Sequence, residues 1–397
     1  MSAKGWLRVP LNDVVMSVEY GISQPLISEP AGLPVLRMNN LQDGRPEVSD
    51  LRYCPGRVPE RLYLRRGDVL FNRTNSIDLV GKSALWMDEL PAASFASYLV
   101  RLNPDKERVL PEYLVEWLQY PVTRQRVRAI ATVAVQQVNV NPMRLRQLEI
   151  DFPECLSEQR RIVEALAAIA EEERAIETSI AKSRLIRGEI MRKALTGRDA
   201  DWVEVSDVAV VSSGSTPSRS RKDYWSNGTV PWVRTAEINF SVINETGECV
   251  TRKAVADTGL RTYPPGTVLL AMYGEGVTRG RTGLLGVEAA VNQATAAIVC
   301  DPLRLNSQYL YYWLENSYDE IRKIGQGSNQ TNLNGALVGS ISLPLPAVEE
   351  QQDLIAPIQA FDRKLAADAE ELAKLRMFKQ GLTDDLLSGK VRMPAMA

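Results

Sequence analysis

Ser157 to Gly197 reads SEQRRIVEALAAIAEEERAIETSIAKSRLIRGEIMRKALTG, and Glu349 to Gly389 reads EEQQDLIAPIQAFDRKLAADAEELAKLRMFKQGLTDDLLSG. Both carry Glu-Gln near the start (Glu158-Gln159, Glu350-Gln351) and both close on Leu, Thr or Ser, Gly and a basic residue, each match offset by 192 positions. Alternating steps of four and three along the second stretch visit Leu354, Ile358, Phe361, Leu365, Asp368, Leu372, Leu375, Lys379, Leu382 and Leu386, of which eight in ten are apolar. The same steps along the first visit Ile162, Leu166, Ile169, Glu173, Ile176, Ile180, Ser183, Arg187, Ile190 and Ala194, of which seven in ten are apolar. That spacing is a heptad seam on a helix, and the glycine after each is a helix stop. Arg187 and Lys379 fall at matching seam positions, and Pro357 should kink the second helix or delay its first turns. About 36 helical residues span roughly 54 Å at 1.5 Å per residue, longer than a domain of ~150 residues is wide. Each stripe therefore needs burial beyond its own domain, and the economical solution is an intramolecular two-helix coiled coil.

The rest of the chain repeats around these helices. GWLRVPLNDVV from Gly5 corresponds to DWVEVSDVAVV from Asp201, and Leu33 to Arg37 corresponds to Val230 to Arg234. Arg66 to Phe71 corresponds to Pro265 to Leu270, Gly81-Lys82 to Gly280-Arg281, and Gln137 to Asn141 to Gln330 to Asn334, with a proline-bounded strand after each. The globular parts read as short strands with turn residues plus one helical stretch each, Pro111 to Arg128 and Ser307 to Ile324. The expected architecture is α+β: a mixed globular domain over 1–152, a long helix over 153–198, a second globular domain over 199–346, and a second long helix with a tail over 347–397.

The 397 residues include no histidine, which removes imidazole acid–base catalysis, Ser–His and Cys–His nucleophiles and histidine-bearing metal sites. The four cysteines lie far apart, without a Cys-x-x-Cys pair, so neither a disulfide framework nor a zinc knuckle is indicated. No P-loop or dinucleotide-binding glycine pattern occurs, and Asn141-Pro142-Met143 fails as an amino-methyltransferase motif. No apolar run reaches the ~20 residues of a membrane span, and the N-terminus lacks a signal-peptide core, so a reducing cytoplasm is expected. Net charge is −2, yet 35 of the 47 basic residues are arginine, whose planar fork suits guanine edges and phosphates.

GDVLFNRTNS (67–76), VGKSAL (80–85), SSGSTPSRSRKDYW (212–225), VPWVRTAEI (230–238), GQGSNQTNLN (325–334) and the proline-led Glu-Gln opening of each helix, on this duplicated plan, resemble the specificity subunit of a type I restriction–modification system. The resemblance covers essentially the whole chain. It implies a non-catalytic, prokaryotic subunit whose two long helices form an antiparallel coiled-coil spacer, related by a pseudo-two-fold axis, between two target-recognition domains that each read one half of a bipartite, asymmetric DNA sequence. It also implies double-stranded DNA as ligand, with two methyltransferase subunits and two restriction motor–nuclease subunits as partners. S-adenosylmethionine, ATP and Mg would sit on those partners, with no cofactor or metal in this chain. A non-catalytic coiled-coil scaffold with two protein-interaction domains is the alternative.

Groove readout needs Arg, Lys, Asn, Gln, Ser, Thr or aromatic groups on loops. In the first domain the candidates are Tyr20, Ser23, Gln24, Arg73, Thr74, Asn75, Ser76, Lys82, Gln136, Gln137 and Asn139. In the second they are Thr216, Ser218, Arg219, Arg221, Lys222, Tyr224, Arg234, Tyr273, Arg279, Arg281, Gln326, Asn329 and Gln330. Charge does not favour either domain: 1–156 holds 19 basic and 18 acidic residues, and 198–348 holds 13 and 15. Affinity of the chain alone should be modest and salt-sensitive.

Overall fold

The computed structural model describes residues 5–133, 137–196, 200–274, 276–324 and 332–393. The chain forms two compact units, one of residues 1–177 with 370–397 and the other of residues 178–369. Each unit thus holds one globule and part of both long helices.

In the first unit a four-stranded antiparallel sheet runs Val15–Tyr20, Leu99–Pro104, Val69–Asn72, Ser83–Leu85 across its width. Val69, Leu70 and Phe71 are fully buried, as their uninterrupted apolar run requires. Helix Pro111–Gln119 contributes Tyr113, Leu114, Trp117 and Leu118 to the core that holds Val69 and Phe71, while Leu70 packs into a second core. A second helix, Pro121–Ala129, follows at once. The single stretch expected over Pro111 to Arg128 is therefore broken at Tyr120, whose ψ of 129° is the extended value a residue before proline prefers.

The second unit repeats the pattern. Ala209–Ser213, Thr295–Cys300, Val268–Ala271 and Thr282–Leu285 are antiparallel neighbours in the same order, with Val242–Ile243 added in parallel at the edge. Helix Ser307–Asn316 covers the sheet, and Ser317 separates it from the turn Tyr318–Ile321. In both units a two-stranded ribbon leads to a long helix: Trp6–Pro10 pairs with Glu149–Pro153, and Trp202–Glu204 with Ser342–Pro344.

The long helices span Leu156–Leu195 and Val348–Leu387. Within the first unit, Ile162 and Leu166 near the start of the first helix share a core with Leu386 and Leu387 at the end of the second. Within the second unit, Met191 and Leu195 share a core with Ile355 and Ile358. Start meets end in each case, so the pairing is antiparallel inside both units. Of the heptad positions, Ile162, Leu166, Ile180, Ile358, Leu372 and Leu386 are buried. Ile169, Ile176, Ile190, Leu354, Phe361, Leu365, Leu375 and Leu382 are half-buried.

Two details of the helices depart from expectation or explain it. Helix Val348–Leu387 runs through Pro357 without delay, since Pro357 and Asp353 both lie on the exposed face, where water can serve the carbonyl that loses its donor. The charged interruptions of the seam are ion pairs. Arg187 binds Glu315 (2.7 and 2.9 Å) and Asp362 (2.5 Å), with the Tyr312 hydroxyl also donating to Asp362 (2.6 Å). Lys379 binds Glu173 (2.8 Å), which also receives Arg376 (2.8 Å).

The Glu-Gln opening has a structural cause. Gln159 is fully buried; its amide nitrogen donates to the carbonyls of Arg108 and Pro153 (2.8 Å each) and its oxygen accepts from the Leu110 N–H (2.8 Å). Gln351, equally buried, donates to Arg304 (2.9 Å) and Pro346 (2.8 Å) and accepts from Asn306 (2.8 Å). One amide thus ties the long helix, the ribbon and the start of the domain helix together, and supplies backbone groups that would otherwise be buried unpaired.

Candidate nucleic-acid interface

The candidate loops are positioned by strand ends on the two sheets. Gly21 follows strand Val15–Tyr20 and Gly214 follows strand Ala209–Ser213; a side chain at either would collide with backbone, that of Phe95–Ala96 or that of Val291–Asn292. The same close crossing therefore launches Tyr20 to Gln24 in one domain and Ser213 to Ser218 in the other.

In the first domain three sequence-distant candidates meet. The Arg73 guanidinium donates to Asn139 Oδ1 (2.7 Å) and lies 5.2 Å from the centre of the Tyr20 ring. A small sheet of Thr132–Val133, Val138–Asn139 and Thr74–Asn75 fixes the Asn139 side of this contact, and the Val140 N–H donates to the Arg73 carbonyl (2.8 Å). A planar cation held by one hydrogen bond and stacked on an aromatic ring is ordered before any ligand arrives, which lowers the entropy lost on contact.

The other first-domain candidates are more dispersed. Ser23, Ser76 and Gln137 are exposed, and Asn75 accepts the Ser76 N–H (2.8 Å). Lys82 donates to Gln42 (3.0 Å). Gln24 is spent on its own scaffold, donating to the Arg57 carbonyl (3.1 Å) beside the Cys54 thiol. Thr74 differs from expectation: it is 6% exposed, because alternation along the short strand turns its side chain inward. Gln136 lies outside the described residues. Sequence reasoning missed Tyr98, an exposed aromatic whose carbonyl accepts the Arg73 N–H (3.1 Å); no pattern in the sequence marks it.

The second domain gathers its candidates around aromatic rings and carboxylates. Arg219 lies 3.8 Å from the Trp225 ring centre and 5.0 Å from that of Trp232, and pairs with Glu248 (2.5 Å). Arg234 reaches the same Glu248 (3.2 Å) and Glu237 (3.5 Å). Arg221 pairs with Asp223 (2.7 Å), which holds that guanidinium protonated even more firmly than usual and its carboxyl below the ordinary range. Thr216 bonds Gln293, Ser218 and Ser220 are in contact (2.9 Å), and Lys222 is exposed.

Tyr224 is the second departure from expectation. Its ring is 7% exposed and its hydroxyl donates to Asp257 (3.2 Å), so it belongs to the core with Trp232. Tyr273 is exposed, Arg281 is half-buried, and Arg279 donates to the Arg322 carbonyl. Gln326, Asn329 and Gln330 lie outside the described residues. Glu248, Trp225 and Gln293 were not anticipated; only contacts across loops reveal that they order Arg219, Arg234 and Thr216.

The two domains thus present different chemistry on equivalent scaffolds. At the position of Arg73 the second domain has buried Met272, whose carbonyl accepts from Leu333 as that of Arg73 accepts from Val140. Among the described residues no group of histidine, cysteine, aspartate or glutamate is placed to hold a metal ion, and no helix is long and apolar enough to cross a membrane.

The family described as the type I restriction modification DNA specificity domain matches residues 198–377. The MjaX specificity subunit of Methanocaldococcus jannaschii is 22% identical over 410 aligned positions, covering 98% of this chain and 94% of the relative. The type I restriction enzyme MjaIX specificity subunit of the same organism is 28% identical over 200 positions, covering 47% of this chain and 44% of the relative. The crystal structure of a type I restriction–modification S subunit from M. genitalium shares the fold, with a TM-score of 0.64 over 99% of this chain and 97% of that one at 15% identity. Over residues 198–377 the chain thus matches the type I restriction modification DNA specificity domain, and over nearly its whole length it is similar to type I restriction–modification specificity subunits.

Proposed function

We propose that this chain reads DNA for partner enzymes and catalyses nothing itself. Each domain takes one half of a bipartite, asymmetric target, and the chain directs two methyltransferase subunits, with two motor–nuclease subunits in the cleaving complex, to that sequence. The observation that carries the reading is the pairing of equivalent scaffolds with unlike loop chemistry: Tyr20, Arg73 and Asn139 in one domain, Arg219 and Arg234 around Trp225 and Glu248 in the other. Equivalent scaffolds supply two readers, and unlike tips make the half-sites differ. S-adenosylmethionine, ATP and Mg act on the partner subunits, in a prokaryotic cytoplasm.

The near-neutral domains and the carboxylate-paired arginines support weak binding by the chain alone, strengthened when partners enclose the duplex. The test is methylation mapping in a host carrying this chain with its methyltransferase. The expected result is one bipartite, asymmetric motif. Exchanging residues 1–150 for another recognition domain should alter one half of it only; a change in both halves refutes one domain per half-site. Methyl transfer by the rigorously purified chain alone refutes the non-catalytic role.

A further inference from the structure

The two halves of the repeat build one junction differently. In the second unit, helix Ser307–Asn316 meets the long helices at an ion-pair cluster: the Arg187 guanidinium is held by Glu315 and Asp362, beside the Tyr312 ring. Helix Pro111–Gln119 of the first unit aligns with it, Tyr113-Leu114 on Tyr309-Leu310 and Trp117-Leu118 on Trp313-Leu314. Glu116 then stands for Tyr312 and Gln119 for Glu315, while the 192-residue period puts Ala170 for Asp362 and Lys379 for Arg187. Every member of the cluster is exchanged.

At that junction the first unit has a cavity of about 530 Å³, lined by all four replacements, Glu116, Gln119, Ala170 and Lys379. The volume is that of a small-ligand site. Its lining holds five carboxylates against three basic side chains. Arg376 and Lys379 do not serve Glu116, because they are bound to Glu173 and Glu177. None of the hydrogen bonds or ion pairs among the described residues reaches the Glu116 carboxylate, and burial pushes it above the ordinary glutamate value, ahead of the pull of Lys379 and Arg45. A carboxylate withdrawn from water without a donor is costly, so the cavity favours a ligand that brings N–H groups and positive charge. A metal ion does not fit, since no group among the described residues is placed to hold one. The precedent within the chain is a guanidinium, that of Arg187.

We propose that this cavity binds a small organic dication whose guanidinium or ammonium head meets Glu116, where the second unit supplies an arginine head from its own chain. The excess of two carboxylates over basic groups in the lining matches a doubly charged, diamine-like molecule. The charge-assisted hydrogen bonds of such a head give Glu116 the partner that the fold withholds. The second unit needs no such ligand at this junction, because Arg187 already serves its carboxylates. The site is independent of the DNA-reading loops.

The test titrates agmatine, which carries a guanidinium at one end and an ammonium at the other, into the full chain by isothermal titration calorimetry. One molecule binds per chain, and amide hydrogen exchange slows over residues 111–121. Glu116→Gln keeps the size of the side chain, removes its charge and weakens binding about 10- to 100-fold. Glu116→Tyr with Gln119→Glu, Ala170→Asp and Lys379→Arg rebuilds the cluster of the second unit and abolishes binding, with circular dichroism as in the wild type. Glu171→Gln with Glu172→Gln changes exposed carboxylates on the same long helix, outside the cavity, and leaves the affinity as it was. No binding to the wild-type chain, or equal affinity in the wild type and Glu116→Gln, would overturn the site. A loss in the Glu171 and Glu172 variant as large as that in Glu116→Gln would also overturn it, as diffuse attraction to a negative surface. The DNA-reading function stands in each case.

Discussion

Replacing Gln351 by leucine keeps the shape of a fully buried side chain while deleting three hydrogen bonds, two donated to the carbonyls of Arg304 and Pro346 and one accepted from Asn306. A typical bond of this kind contributes about 0.5–1.5 kcal/mol net, and a buried partner left unmatched costs about 1–3 kcal/mol. The backbone groups here cannot move to other partners without pulling the long helix off the ribbon, so the loss should be about 3–5 kcal/mol. The effect is local to the second unit. Amide hydrogen exchange is therefore the suitable assay: peptides covering residues 300–316 and 342–358 should exchange about 10²- to 4 × 10³-fold faster, at ~1.4 kcal/mol per decade. Peptides from the first unit should be unchanged. Gln159→Leu should give the mirror result around residues 106–118, because Gln159 makes the same three bonds to Leu110, Arg108 and Pro153. A loss below about 1 kcal/mol, or accelerated exchange in both units from one substitution, would refute the view that each glutamine independently staples its own domain to a helix.

Arg187→Leu leaves Glu315 and Asp362 facing each other without their shared cation, and should cost on the order of 3–5 kcal/mol in the second unit; Arg187→Leu combined with Glu315→Leu and Asp362→Leu should recover much of that loss in urea unfolding. Leu372→Asp with Leu375→Asp puts charge into the seam of the first unit, where Leu372 is 8% exposed, and should lower the Tm markedly; an unchanged Tm contradicts the seam. Both nitrogens of the Arg392 fork grip Glu158 at 2.7 Å, holding its carboxyl below the ordinary glutamate value. A lowered folded-state pKa means this stabilisation is complete above the unfolded value near 4.5 and is lost as pH falls through the lowered one. Glu158→Gln should therefore flatten the decline in stability below pH 4.5, and an identical decline in both proteins would exclude the contribution.

Arg73 illustrates the limit of a linear reading. Its type and its place in a loop suggested a DNA contact, but nothing in the sequence joins it to Tyr20 and Asn139, 53 and 66 positions away; strand pairing does that. Thr74 and Tyr224 show the same limit from the other side. Each sits in a polar, loop-like stretch, and each is turned inward by the short element it occupies.

What the sequence by itself determined is what repeats locally: the 192-residue period, the heptad stripe of both helices, their glycine ends, and the duplicated strand-turn anchors that carry the family resemblance. Helical periodicity depends on neighbours three and four positions apart, so it survives in one dimension. Only the tertiary structure decided which residues meet where start packs on end in each helix pairing, that Gln159 and Gln351 are staples, and which loop residues share a site. Those contacts join positions tens to hundreds of residues apart, and their partners are chosen by sheet register and core packing, which no single stretch of the chain contains.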